Sequence, residues 1–120
     1  MIYSGTKGEL EAFLTRINSL HQTYKFTLES SDKEVTYLDL ESFKDQRHQE
    51  TGLLDIRTHT KQTDTFQFLQ RQSCHPTATF KGFVKGEILL YIRTCNNEAD
   101  FNRKLKFFTE KLLTRGYTKN

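Results

Sequence analysis

His48, His59, Cys74, His75 and Cys95 could each ligate a soft or borderline metal. None stands in a CxxC or HxxxH spacing, so the set reads as core cysteines and loop or surface histidines rather than a zinc centre. Cys74 directly precedes His75, which invites comparison with a Cys–His nucleophile. Adjacent residues rarely aim their side chains at each other, so no such pair is expected. Asp39 and Glu41 lie two apart on a predicted strand and would share a face. Converging carboxylates of that kind serve two-metal chemistry. Opposite the Leu38/Leu40 face, however, they read as a solvent-facing pair. The six glycines are dispersed and form no phosphate-cradling loop.

What remains is charge against phosphate. The formal net charge is +3, but residues 1–60 carry −3 and residues 61–120 carry +6. In the second half Lys61, Arg71, Lys81, Lys85, Arg93, Arg103, Lys104, Lys106 and Arg115 are interleaved with Phe66, Phe68, Phe80, Phe83 and Tyr91. Such a mixture can hold phosphates by charge and sugars or bases by stacking. The competing reading is a Phe core under a solvated basic surface, and it should hold for most of the last helix. The segment from Lys61 to Arg93 points more strongly to a polyanion, because its polar loops are long for connectors.

The elements that must position these groups follow from patterning. Thr6-Lys7-Gly8-Glu9 fits a capping box, and Leu10, Phe13, Leu14, Ile17 and Leu20 recur at helical spacing, so a helix is expected from Lys7 to His21. Strands are expected at Tyr24 to Glu29, Val35 to Phe43 and Leu53 to His59, joined as an antiparallel meander. Lys44 to Thr51 reads as a loop or hairpin tip, and Ser73 to Thr79, with the one proline, as a loop. A helix is expected from Glu87 to Cys95. A second follows, capped by Asn96 or Asn97, carrying the stripe Phe101, Leu105, Phe108 and Leu112 and stopping at Gly116.

The 120 residues bound the answer to one domain or a piece of one. No stretch approaches the ~18 apolar residues of a membrane span. Met1 opens no charged-then-apolar leader. Two cysteines point to free thiols rather than a disulfide framework. A membrane channel and a disulfide-stapled toxin are therefore not expected. The fold class is α+β: an N-terminal helix, a small antiparallel sheet of about three strands, then two C-terminal helices.

A series of short motifs then resembles a known family. In order they are Asn18-Ser19-Leu20-His21, Lys25-Phe26-Thr27-Leu28-Glu29, Tyr37-Leu38-Asp39-Leu40, Lys61-Gln62-Thr63-Asp64-Thr65, Ser73-Cys74-His75-Pro76, Ile92-Arg93-Thr94-Cys95 and Arg115-Gly116-Tyr117. Together they resemble the late palm and start of the thumb in the reverse transcriptase domain of Penelope-like retroelements. The resemblance implies a late-palm helix and strands over residues 1–60, with a primer-grip-like loop and thumb-like helices over 61–120. It implies RNA template and DNA primer as partners, and magnesium as the cofactor of the full polymerase but none for this chain. It places the protein inside the cell, at nuclear DNA.

The resemblance further implies that Lys61, His75, Lys81, Lys85 and Arg93 lie near the nucleic-acid backbone, while Thr63 and Asp64 shape their loop. Gln62 stands where many relatives have proline, and Leu90 where many have arginine. No Tyr-x-Asp-Asp occurs, so the chain is expected to be an inactive fragment of an RNA-directed DNA polymerase. Two rivals follow. One is a stand-alone, non-catalytic RNA- or DNA-binding module. The other is a structural remnant that self-associates through uncovered apolar faces.

Overall fold

The computed structural model describes residues 3–118. Its element order is α1 (Lys7–Ser19), β1 (Glu34–Tyr37), β2 (Leu40–Phe43), α2 (Gln46–Thr51), β3 (Asp55–Thr58), α3 (Thr77–Thr94) and α4 (Glu98–Thr114). This is the expected α+β arrangement of N-terminal helix, three-stranded antiparallel sheet and C-terminal helices. The chain divides into two compact units, Met1–Asp32 and Lys33–Asn120.

In the first unit, α1 begins with the expected capping box. The Thr6 amide donates to Glu9 Oε2 at 2.8 Å, and the Glu9 amide donates to Thr6 Oγ1 at 3.3 Å. The strand expected at Tyr24 to Glu29 does not form. Instead the Asn18 side chain takes both backbone groups of Phe26: Asn18 Oδ1 accepts from its amide at 2.6 Å, and Asn18 Nδ2 donates to its carbonyl at 2.9 Å. Lys25 Nζ donates to the Asn18 carbonyl at 2.6 Å. These local bonds satisfy backbone that a ladder would otherwise have to satisfy.

The second unit opens on the sheet, ordered β1-β2-β3 with every pairing antiparallel. The single strand expected from Val35 to Phe43 is a hairpin, because the chain reverses at Leu38-Asp39 between the paired Tyr37 and Leu40. Leu38 sits at φ 54° with 71% of its surface exposed. A left-handed backbone costs a residue with a Cβ roughly 1–2 kcal/mol, whereas glycine's extra freedom in the unfolded chain costs about 0.5–1 kcal/mol. Leu38→Gly should therefore stabilise the protein by roughly 0.5–1 kcal/mol. A urea midpoint below that of the parent would contradict this reading of the turn.

The loop expected over Lys44 to Thr51 contains the short helix α2. Asp45 caps its start, its side chain accepting from the Gln46 amide at 2.8 Å, and Gly52 ends it in the left-handed region at φ 74°. Arg47 Nη1 donates to Asp55 Oδ1 at 2.9 Å, which pairs the buried carboxylate at the start of β3.

α3 is far longer than the helix expected at Glu87 to Cys95, and it absorbs the end of the loop expected at Ser73 to Thr79. Asn97, not Asn96, caps α4, its side chain accepting from the Ala99 amide at 2.8 Å. The turn Cys95-Asn96-Asn97 folds α4 back against α3. Phe108 is 1% exposed and takes Phe68, Phe83 and Tyr91 edge-on at 5.1, 5.8 and 5.9 Å between ring centroids. Gly116 ends α4 at φ 85°, as its position in the sequence requires. The Asn96 amide donates to the Ile56 carbonyl at 3.0 Å, and Thr58 shares a hydrogen bond with Thr94, so β3 is stitched to the turn between the two helices.

Candidate nucleic-acid interface

The seven basic residues of α3 and α4 lead different lives. On α4, Lys104 Nζ donates to Thr60 Oγ1 at 2.6 Å, and burial pulls its pKa below the ordinary lysine value. Arg103 pairs with the buried Asp100. Lys111 lies over the rings of Phe66 and Phe107 at 5.6 and 5.3 Å. Lys104 and Lys111 thus tie α4 to the segment before α3, while Arg103 is engaged within α4 itself. Lys106 is exposed, with Glu110 one turn away.

On α3 the pattern reverses. Lys81, Lys85 and Arg93 are exposed, and among the described residues none makes an ion pair. Residues four apart stack on one helix face, so Lys81, Lys85, Leu89 and Arg93 form a single ridge. From Lys81 to Arg93 it runs about 18 Å at the helical rise. The one carboxylate of α3, Glu87, is half-buried and lies off that ridge.

The other expected site residues are placed elsewhere. Lys61 and Thr63 are exposed in a turn closed by the Asp64 amide donating to the Lys61 carbonyl at 3.0 Å. Asp64 Oδ1 accepts from the Phe66 amide at 2.7 Å, and Phe66 sits at φ 50°. His75 is exposed just before α3, its Nδ1 3.0 Å from Ser73 Oγ and its ring edge-on to Phe80. The structure thus gathers Lys81, Lys85 and Arg93 and leaves Lys61 and His75 in separate loops. Arg71 was one of many basic residues in the sequence. In the structure it is distinguished by its guanidinium lying 4.7 Å over the Phe80 ring. Its contact partner is nine residues away, so no local spacing could have marked it.

The other candidate side chains are placed apart among the described residues. Asp39 lies in the hairpin turn, while Glu41 is half-buried and ion-paired to Arg57, which also reaches Glu34 at 3.4 Å. The two carboxylates do not share a solvent-facing strand surface, because the chain turns between them. Cys74 is exposed and His75 engages Ser73. Among the described residues no three His, Cys, Asp or Glu side chains group as metal ligands. No described helix is long and apolar enough to cross a membrane.

The hydrogen bond from Arg57 is the largest influence on Glu41 and holds its carboxyl below the ordinary value of 4.5, against the opposing effect of burial. A depressed folded-state pKa contributes stability that is complete above the unfolded value and is lost as pH falls through the folded value. Stability should therefore decline as pH falls below the ordinary carboxylate value of 4.5, and Glu41→Gln should flatten that decline. Urea midpoints on either side of that value test it; parallel declines in both proteins would assign the acid sensitivity to other groups.

The profile of the Animal helix-turn-helix domain matches residues 67–120, a little under half of the chain. Those residues contain α3, the three-residue turn and α4. This match overturns the reverse-transcriptase resemblance, and the palm and thumb assignments go with it. The resemblance rested on short motifs of three to five residues, each compatible with many local structures. The helical pair is one continuous unit built around Phe108. Among curated proteins and among solved structures, no match to the chain is found.

Proposed function

We propose that this chain is a non-catalytic DNA-binding module. The observation that carries the reading is the exposed ridge Lys81-Lys85-Arg93, free of ion pairs among the described residues, on the first helix of a helix-turn-helix. Helix-turn-helix units bind DNA by laying one helix across the backbone and the other in the major groove. α3 would supply the phosphate contacts, which position a protein without reading sequence. α4 would face the groove. Its exposed Asn102 and Lys106 are residue types that hydrogen-bond adenine and guanine edges. Likeness to the helix-turn-helix domain and the +6 charge of residues 61–120 support the same direction.

The experiment is fluorescence anisotropy of the full chain against a labelled DNA duplex over a series of salt concentrations. Binding that weakens log-linearly with salt is expected, at about 0.9 per phosphate neutralised. A single-stranded RNA and an RNA duplex of the same sequence serve as competitors. Absence of duplex-DNA binding at low salt, or preferential RNA binding, would remove the proposal.

A further inference from the structure

The second unit carries a groove of about 520 Å³ along α3, within the range of small-molecule sites at about 300–1,000 Å³. Its wall is aliphatic, from Val84, Ile88 and Leu89, and its charged residues are Arg71, Lys81 and Lys85, with no carboxylate among those that line it. Phosphate contact alone does not explain an apolar channel beside cations. Tyr117 also lines the groove, and its hydroxyl is buried without a hydrogen-bond partner. Such a hydroxyl is costly unless an acceptor reaches it. Arg71 is fixed rather than swinging free: its guanidinium rests on Phe80, and its amide donates to the Arg115 carbonyl at 3.0 Å. A fixed guanidinium, two flexible ammonium groups and an apolar channel complement a molecule with an anionic head and a hydrocarbon tail.

We propose that this groove binds a single-chain anionic amphiphile, with its carboxylate or phosphate head at Arg71, Lys81 and Lys85 and its tail along Val84, Ile88 and Leu89. Lys81 and Lys85 belong also to the ridge assigned to DNA. The amphiphile is therefore read directly, with no nucleic acid present, and the two proposals stand or fall separately.

The test is isothermal titration calorimetry of the full chain with dodecanoate, dodecyl phosphate and neutral dodecanol, each below its aggregation limit. Both anions should bind with one-to-one stoichiometry and dodecanol at least tenfold more weakly, a difference of about 1.4 kcal/mol. Two variants at exposed positions divide the site. Leu89→Asp should weaken dodecanoate at least tenfold by charging the channel. Lys81→Gln with Lys85→Gln should weaken dodecanoate at least tenfold while leaving dodecanol unchanged. Circular dichroism matching the parent secures the fold of each. Dodecanol binding as tightly as dodecanoate would overturn the head-group assignment. Unaltered binding in both variants would place the amphiphile elsewhere. Failure of both anions, whether or not an acidic amphipathic peptide binds in their place, would overturn the proposal outright.

Discussion

Phe108→Ala should destabilise the second unit by about 3–5 kcal/mol, the range for emptying a buried aromatic site. Phe108 is 1% exposed, and it is the side chain on which Tyr91 and Leu112 of the core and the half-buried Phe68 and Phe83 converge. Truncation removes the edge-on ring contacts at 5.1 to 5.9 Å and leaves a cavity that two crossing helices cannot close by a small shift. Against a domain's total of about 5–15 kcal/mol, the loss would leave a marginal fold. Urea denaturation followed by near-ultraviolet circular dichroism reads both the midpoint and the loss of fixed aromatic packing. Leu113→Ala on the same helix supplies the contrast. Leu113 is 41% exposed, and its loss should shift stability by about 0.5 kcal/mol or less, as at ordinary surface positions. Equal effects at the two positions would mean that Phe108 is not the centre of the core.

Neutralising the α3 ridge should produce the largest functional effect. The triple variant Lys81→Ala, Lys85→Ala, Arg93→Ala removes three exposed cations that hold no other element of the fold in place. If each meets one phosphate, the slope of log K against log salt should become shallower by about 2.7. The corresponding loss of affinity at 0.1 M salt is on the order of 10²- to 10³-fold, and it should be uniform across DNA sequences. Lys104→Ala is the informative control. Its ammonium is spent on Thr60, so its removal should lower stability and leave the salt slope unchanged. A slope that moves with Lys104 and not with the ridge would shift the interface from α3 to α4.

Gly82 and Gly86 explain why the helical pair was only half visible in the sequence. Each glycine weakens helix propensity by about 1 kcal/mol relative to alanine, and Thr77 and Thr79 add β-branched stiffness at the start of α3. Local propensity therefore argued for a loop up to Thr79. Packing of Phe80, Phe83, Val84 and Tyr91 overrides it, and that gain exists only once α4 and the Phe66–Phe68 segment are in place. α4 needed no such help, because its Asn97 cap, its Phe101-Leu105-Phe108-Leu112 stripe and its Gly116 stop are all local signals. The hairpin failed for the opposite reason. Leu38 fills the left-handed position of the turn where glycine is usual, and alternation ran unbroken through a reversal closed by the pairing of β1 with β2.

The sequence by itself determined the α+β class, the start of α1, the whole of α4 and the presence of a basic second half. Each of these depends on neighbours within a turn or two, or on composition. It also supplied Lys81, Lys85 and Arg93 as candidates, because residue type and charge are legible without a fold. Only the tertiary structure decided that these three share one ridge, since the helix that aligns them is stabilised from outside itself. Only the structure separated them from Lys104 and Lys111, because a cation's availability depends on whether a partner distant in sequence, here Thr60 or Phe66, already holds it.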